Sequence, residues 1–230
     1  MEADKRPSTY LITGANRGIG LELARQIARR GDQVIATARH PDQARELARL
    51  KVRVEPLDVA DAASVDALRQ RLEGVPIDVL IHNAAIGNAG PTIDRVEIED
   101  VERTFQVNAL GPLRVTQALM AGLEAGRGKT IVGITSGLGS VSENTSGAWG
   151  AYRISKAALN QLFRTMAAEL RSRGFTCVVI SPGWVQTDMG GKGATLTPEE
   201  SVRSMLRVLD RLTPADTGQF FDHRGRRVAW

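Results

Sequence analysis

"YLITGANRGIGLELARQIARRG", residues Tyr10 to Gly31, decides the fold. A short apolar run leads into a loop with glycines at 14, 18 and 20. That loop opens a segment whose apolar positions recur at helical spacing and which Gly31 closes. A glycine loop between a strand and a helix lets backbone approach a pyrophosphate. The helix start then offers N–H groups and the positive end of its dipole. Asn16, Arg17 and Ile19 lie in the same loop and are read with Gly14, Gly18 and Gly20 as phosphate-side contacts.

The same alternation continues outward. Strand candidates are Thr9–Thr13, Gln33–Ala38, Val52–Leu57, Asp78–His82, Thr130–Thr135, Thr176–Ser181 and Gln219–Phe221. Most are nearly continuous in apolar residues, as strands buried on both faces must be. Helix candidates between them are Gly18–Arg30, Asp42–Leu50, Ala62–Leu72, Ile98–Ala125, Ala151–Arg173 and Pro198–Leu212. Strands alternating with helices predict an α/β fold: one doubly wound parallel sheet of about seven strands, with helices on both faces. With no repeat or linker, residues 1–230 read as a single domain. Ligands on such sheets bind beyond the carboxyl ends of the strands, so the residues just after each strand carry the functional information.

Composition narrows the classes. At 42% hydrophobic, 230 residues suffice for one sizeable core. The net charge is +4, but cations and acids are mixed along the chain and aromatics are few, which argues against a nucleic-acid partner. A single cysteine, Cys177, excludes an internal disulfide and fits a reducing, cytoplasmic setting. No Cys/His cluster has metal-ligand spacing. The start, "MEADKRPS", is polar, and no apolar run approaches the roughly 20 residues that span a membrane.

The residue after the second strand separates NAD from NADP. An acid there would bind a ribose 2′-OH, and a cation would bind a 2′-phosphate. The strand "QVIATA" runs into Arg39, with Arg17 in the glycine loop, so the expected cofactor is NADP(H). Asp58 and Val59 end the third strand. Asn83 and Ala84 follow the fourth, where a small polar turn either holds an adenine ring or serves the turn itself.

The fifth strand, "TIVGIT", stops at Thr135, so Ser136 stands at a strand's carboxyl end. Tyr152 and Lys156 begin a long helix and share a face at i and i+4. Reducing a carbonyl by hydride leaves an alkoxide that must take a proton. A tyrosine near pKa 10 is ionised about once in a thousand at pH 7. A cation about 4 Å away, at an effective dielectric of about 20, supplies the roughly 4 kcal/mol that changes this. Lys156 is expected to do so, and a serine hydroxyl to hold the substrate oxygen.

Together these residues resemble the short-chain dehydrogenase/reductase family, over roughly Tyr10 to Asp222, with a Rossmann fold. The glycine loop, the Tyr152/Lys156 pair and "SPGWVQTDM" carry the likeness. It implies Tyr152 as acid/base and Lys156 as its activator and ribose ligand. Asn108 matches the helix asparagine that anchors a relay water, and Asp58 and Asn83 match adenine-side positions. Pro182, Gly183, Val185 and Thr187 match the nicotinamide-side turn. Two departures stand out. The family's Asn-Asn-Ala-Gly turn reads His82-Asn83-Ala84-Ala85, without its glycine. The serine usually lies about 13 residues before the tyrosine, which lands on Gly139; Ser136 lies farther back, so the loop carries about three extra residues. Ser136 is preferred because it ends a strand, and Ser140 is second. "GSVSENTSGAWGAYRISKAALN" resembles the branch that holds C-factor signalling proteins and sniffer-type carbonyl reductases.

The resemblance places a substrate lid at about 188–198, short and glycine-rich. Trp149, Trp184 and Met189 are candidates to line the pocket or to pack as core. Two functions follow. One is an NADPH-dependent reductase of a ketone or aldehyde, or the reverse on an alcohol. The other is an NAD(P)-binding signalling protein with little or no turnover. The family's habit of pairing through its long central helices implies a homodimer or homotetramer.

Overall fold

The computed structural model describes residues 6–87 and 92–230; the polar start, residues 1–5, lies outside them. Seven strands, β1 (Thr9–Ile12), β2 (Gln33–Ala38), β3 (Arg53–Pro56), β4 (Val79–His82), β5 (Thr130–Ile134), β6 (Thr176–Ser181) and β7 (Phe220–Asp222), form one parallel sheet in the order β3-β2-β1-β4-β5-β6-β7. The helices are α1 (Gly18–Arg29), α2 (Arg45–Arg49), α3 (Ala62–Arg71), α4 (Ile98–Phe105), α5 (Gly111–Ala118), α6 (Met120–Ala125), α7 (Gly150–Leu170) and α8 (Pro198–Leu209). None of those described is long and apolar enough to cross a membrane.

Alternation along the strands builds two separate cores. Leu11, Ile35, Leu80, Ile131 and Val179 face one side, packed by Val65 and Leu68 of α3, Val115 of α5 and Leu159 and Phe163 of α7. Their neighbours Ile12, Ala36, Ile81, Val132 and Ile180 face the other, packed by Leu23 and Ile27 of α1 and Val202 and Met205 of α8. A strand covered on both faces needs apolar residues in both phases, which is why these strands read as unbroken runs. Strand order reverses between β1 and β4, and there the Gly14 and Ala84 loops meet.

One expected element is broken. The helix expected over Ile98–Ala125 is α4, a π turn over Gln106–Leu110, α5 and α6. Pro112 in the first turn of α5 has no N–H to give, and a π turn accommodates one extra residue. That turn puts Asn108, 1% exposed, inside the fold. The segment Asp42–Leu50 is likewise a 3₁₀ turn over Pro41–Gln43 followed by the short α2.

Candidate active site

Beyond the carboxyl ends of β1, β2, β4 and β5 lies a cleft of about 910 Å³. Gly14, Asn16, Arg17, Gly18, Ile19, Gly20, Arg39, Asp58, Val59, Asn83, Ala84, Tyr152, Lys156, Pro182 and Thr187 all line it. The sequence singles out each of these.

The glycine loop is held by β4. Asn83 Nδ2 donates to the carbonyls of Thr13 (3.0 Å) and Gly14 (2.9 Å), and the Asn83 and Ala84 N–H groups donate to Thr13 Oγ1. A Cβ on Gly14 would sit 2.8 Å from Ala84 Cα, on a backbone with φ of +66°. One on Gly20 would sit 2.4 Å from both Asn83 Nδ2 and Gly14 O. These two glycines are therefore demanded by contact between two loops of the protein, a reason nearer than the approach of a pyrophosphate. Ala85 is not among the residues with positive φ, so the turn does without the family's glycine.

Arg39 and His40 leave β2 exposed at the cleft. Arg17 does not converge on them: its Nη1 meets Asp188 Oδ2 at 2.6 Å, across the cleft mouth. Asp58 accepts from the Ala60 N–H at 2.9 Å, and Val59 is buried against Gly111. Gly183 and Val185, expected on the nicotinamide side, do not line the cleft. Val185 is buried and bridges Leu196, and Gly183 is closed in by Leu196 and His223. The expected lid is pinned at its neck, where Leu196 N–H donates to Trp184 O and Gln186 N–H to Leu196 O. Met189 lines the cleft, while Trp184 is mostly exposed with its indole N–H on Gly190 O.

At the other end, the Ser136 side chain lies beside the Tyr152 phenol, acting to lower its pKa, and caps the turn after β5 by accepting from the Leu138 N–H. Ser140 is occupied elsewhere. It is 1% exposed, donates to Ala229 O at 2.7 Å and accepts from the Glu143 N–H. Ser146 accepts from Arg153. The strand-end serine is thus the one that reaches the tyrosine. Lys156 is 2% exposed, its Nζ donating to Ile134 O at 2.8 Å and lying 5.6 Å from the Tyr152 ring centre.

The charges differ from the sequence expectation. Burial pushes the Tyr152 phenol up to about 12, opposed only in part by the Ser136 side chain. Burial also brings Lys156 down to about 7. The expectation assumed a fully charged ammonium aimed at the phenol; the fold instead desolvates both groups and turns the ammonium to a carbonyl. The result is a phenol that keeps its proton at neutral pH, the form that can donate one.

Asn108 has its amide committed. Nδ2 donates to Ile86 O (2.8 Å) and Ser155 Oγ (3.0 Å), and Oδ1 accepts from the Ile86 N–H (2.9 Å). Ser155 Oγ donates in turn to Tyr152 O. Gly87, unmarked by any sequence pattern, faces the phenol: a Cβ there would lie 2.5 Å from Tyr152 Cδ2. Gln43 and Gln186 also line the cleft though not singled out, and Asp188, the first residue of the expected lid, joins them. The "TPEE" capping box at Thr197–Glu200 was a legible signal for the α8 start, whose Thr197 and Glu199 reach the rim.

The short chain dehydrogenase family model matches residues 8–195. The C-signal of Myxococcus xanthus is 50% identical over 155 residues, 67% of this chain and 93% of that protein. Among solved structures, carbonyl reductase Sniffer of D. melanogaster superposes with a TM-score of 0.93 at 30% identity, covering 98% of this chain and all of that one. The NADPH-bound carbonyl reductase from chicken fatty liver does so with a TM-score of 0.91 at 35% identity, with the same coverage. With a glycine loop at the switch point of a seven-stranded parallel sheet and a Ser–Tyr–Lys cluster at its far end, the chain belongs to the short-chain dehydrogenase family.

Proposed function

We propose that this chain is an NADPH-dependent reductase of a ketone or aldehyde, with Tyr152 as general acid. The observation that carries the reading is the buried Tyr152 phenol, beside Ser136 and Lys156 and bordering the same cleft as the glycine loop. The NADPH in the chicken carbonyl reductase supports the cofactor. The residues fit it. The loop at Gly14–Gly20 offers main-chain N–H groups, and the α1 N-cap, Arg17, makes no side-chain cap, leaving the helix start free for an anion. Arg39, exposed after β2, suits a 2′-phosphate. Asp58, Val59, Asn83 and Ala84 would border the adenosine half, and Pro182 and Thr187 the nicotinamide half. When bound, NADPH supplies the hydride. Ser136 holds the substrate oxygen, Tyr152 delivers the proton to it, and Lys156 adds positive charge beneath the phenol and a ribose contact. Asn108 fixes the Ile86 backbone and, through Ser155, the start of α7; this is its share of any proton relay.

The test is NADPH oxidation over a panel of aldehydes and ketones, with Tyr152→Phe beside the wild type. The variant should bind NADPH normally and lose roughly a thousandfold in turnover, since general acid catalysis contributes about 10²–10⁴-fold. Full turnover in the variant would exclude this mechanism. The 50% identity to C-signal favours one second reading, an NAD(P)-binding signalling protein with little turnover. Tight NADPH binding with no reduction of any panel member would support it. Self-association through α4 and α7, which pack on one another, belongs to the proposal and is measured by light scattering of the eluting protein.

A further inference from the structure

We propose that the Trp149 indole forms one wall of the substrate position and selects carbonyl compounds bearing an aromatic ring. The inference rests on Tyr152 as proton donor and adds the group that judges what reaches it. The Trp149 and Tyr152 rings meet edge-on, centres 5.9 Å apart and planes at 63°. The indole stands beside the phenol, outside the lining of the dinucleotide-sized cleft. It is only half-buried, which leaves part of its surface open to a ligand.

The backbone is bent to put it there. Gly147, Ala148 and Trp149 have φ of 62°, 53° and 56°, three successive left-handed residues of which only the first is glycine. A bulky side chain enters that region only when its surroundings hold it. Arg153 is the holder: its Nε donates to both Gly147 O and Ala148 O at 3.0 Å, and its Nη2 to Ser146 Oγ at 3.1 Å. A loop with no duty at 149 would carry Gly or Asn there. Ile93, 76% exposed, and Val96 approach the adjacent Gly150 and extend the apolar rim. A flat indole beside the proton donor favours a flat partner, because aromatic pairs gain beyond their buried area.

The experiment compares acetophenone with cyclohexyl methyl ketone, alike in size and differing in the ring. The variants are Trp149→Leu and Trp149→Phe, and melting temperatures confirm that each folds. In Trp149→Leu the acetophenone preference in kcat/KM should fall by about tenfold, whereas Trp149→Phe should keep it within about threefold, as expected for loss or retention of an aromatic pair. An unchanged ratio in Trp149→Leu, or an equal loss on both ketones, overturns the proposal. Calorimetric titration of the NADPH-loaded protein with each ketone reads the same preference as binding. If the wild type reduces neither ketone nor any other member of the panel, the reductase reading fails on its own. The binding ratio then still decides Trp149: a preference lost only in Trp149→Leu upholds the wall, and a preference unmoved by it sinks it.

Discussion

The two ends of the site are built by opposite means. At the phosphate end, β1 and β4 hold each other through Thr13 and Asn83, and positive φ falls on glycines 14 and 18. The side chains that lock the loop, Thr13 and Asn83, are paired with backbone. At the reactive end the fold desolvates a tyrosine and a lysine, drives their pKa values apart by raising the phenol and lowering the ammonium, and keeps two non-glycine residues left-handed beside them. Each such residue costs on the order of 1 kcal/mol. One end is a receptacle that relaxed geometry suffices to make. The other stores strain and burial, which is where chemistry that needs perturbed groups is expected.

Several substitutions probe that contrast. The largest effect should come from Gly87→Ala, whose new methyl meets the Tyr152 ring at 2.5 Å. Turnover should fall by about a hundredfold through displacement of the phenol, since misplacement of about 1 Å costs that much. The NADPH dissociation constant should stay near wild type; a variant that loses cofactor affinity instead would show the two ends to be one unit.

Arg39→Gln attacks the other end. The KM for NADPH should rise by roughly 10–100-fold, the worth of a charge-assisted phosphate contact, with the KM for NADH unmoved. Equal changes for both cofactors would remove Arg39 from the 2′-phosphate.

His82 tests the burial beneath both ends. It is 3% exposed, bonded through Nε2 to Thr116 Oγ1 at 2.9 Å, and burial lowers its pKa from 6.5 to about 3. Because the folded state resists the proton, its contribution to stability is intact above about pH 6.5. It declines by up to roughly 1.4 kcal/mol per pH unit as pH falls towards about 3. Denaturant titrations at several acidic pH values should show a shallower slope in His82→Asn than in wild type; identical slopes would contradict the burial argument. Asp188→Asn should do least. The Arg17–Asp188 pair is 65% and 78% exposed and contributes under about 1 kcal/mol, so Tm should hardly move. Freed from its partner, Arg17 should improve NADPH affinity by a factor of a few, as fluorescence titration would register.

Legibility in the sequence followed the range of the physics. All seven strands lay where apolar runs put them, because burial on both faces is a local composition. The break in Ile98–Ala125 was marked only by Pro112; a π turn is one extra residue with no composition of its own. Ser136 was identifiable because a strand end fixes it in space, even with an altered loop length. The burial that raises the Tyr152 phenol and the turn of Lys156 to Ile134 O have no local signature, because both are set by the packed fold. Arg17 and Asp188 are 171 positions apart, and nothing local links them.

The sheet's double cover has a consequence for time rather than energy. Leu11, Ile12, Leu80, Ile81, Ile131 and Val132 are fully removed from water, on the three central strands of the sheet. Their amides open to solvent only when the whole molecule opens, and the residues that end those strands, Thr13, His82 and Thr135, inherit the slow clock. The loop from Gly137 to Trp149 hangs from one such strand and returns into α7, fastened by Ser140 and Arg153 and not by the sheet's own ladder. Changes confined to that loop can retune what the site accepts without waiting on, or disturbing, the frame that holds the dinucleotide.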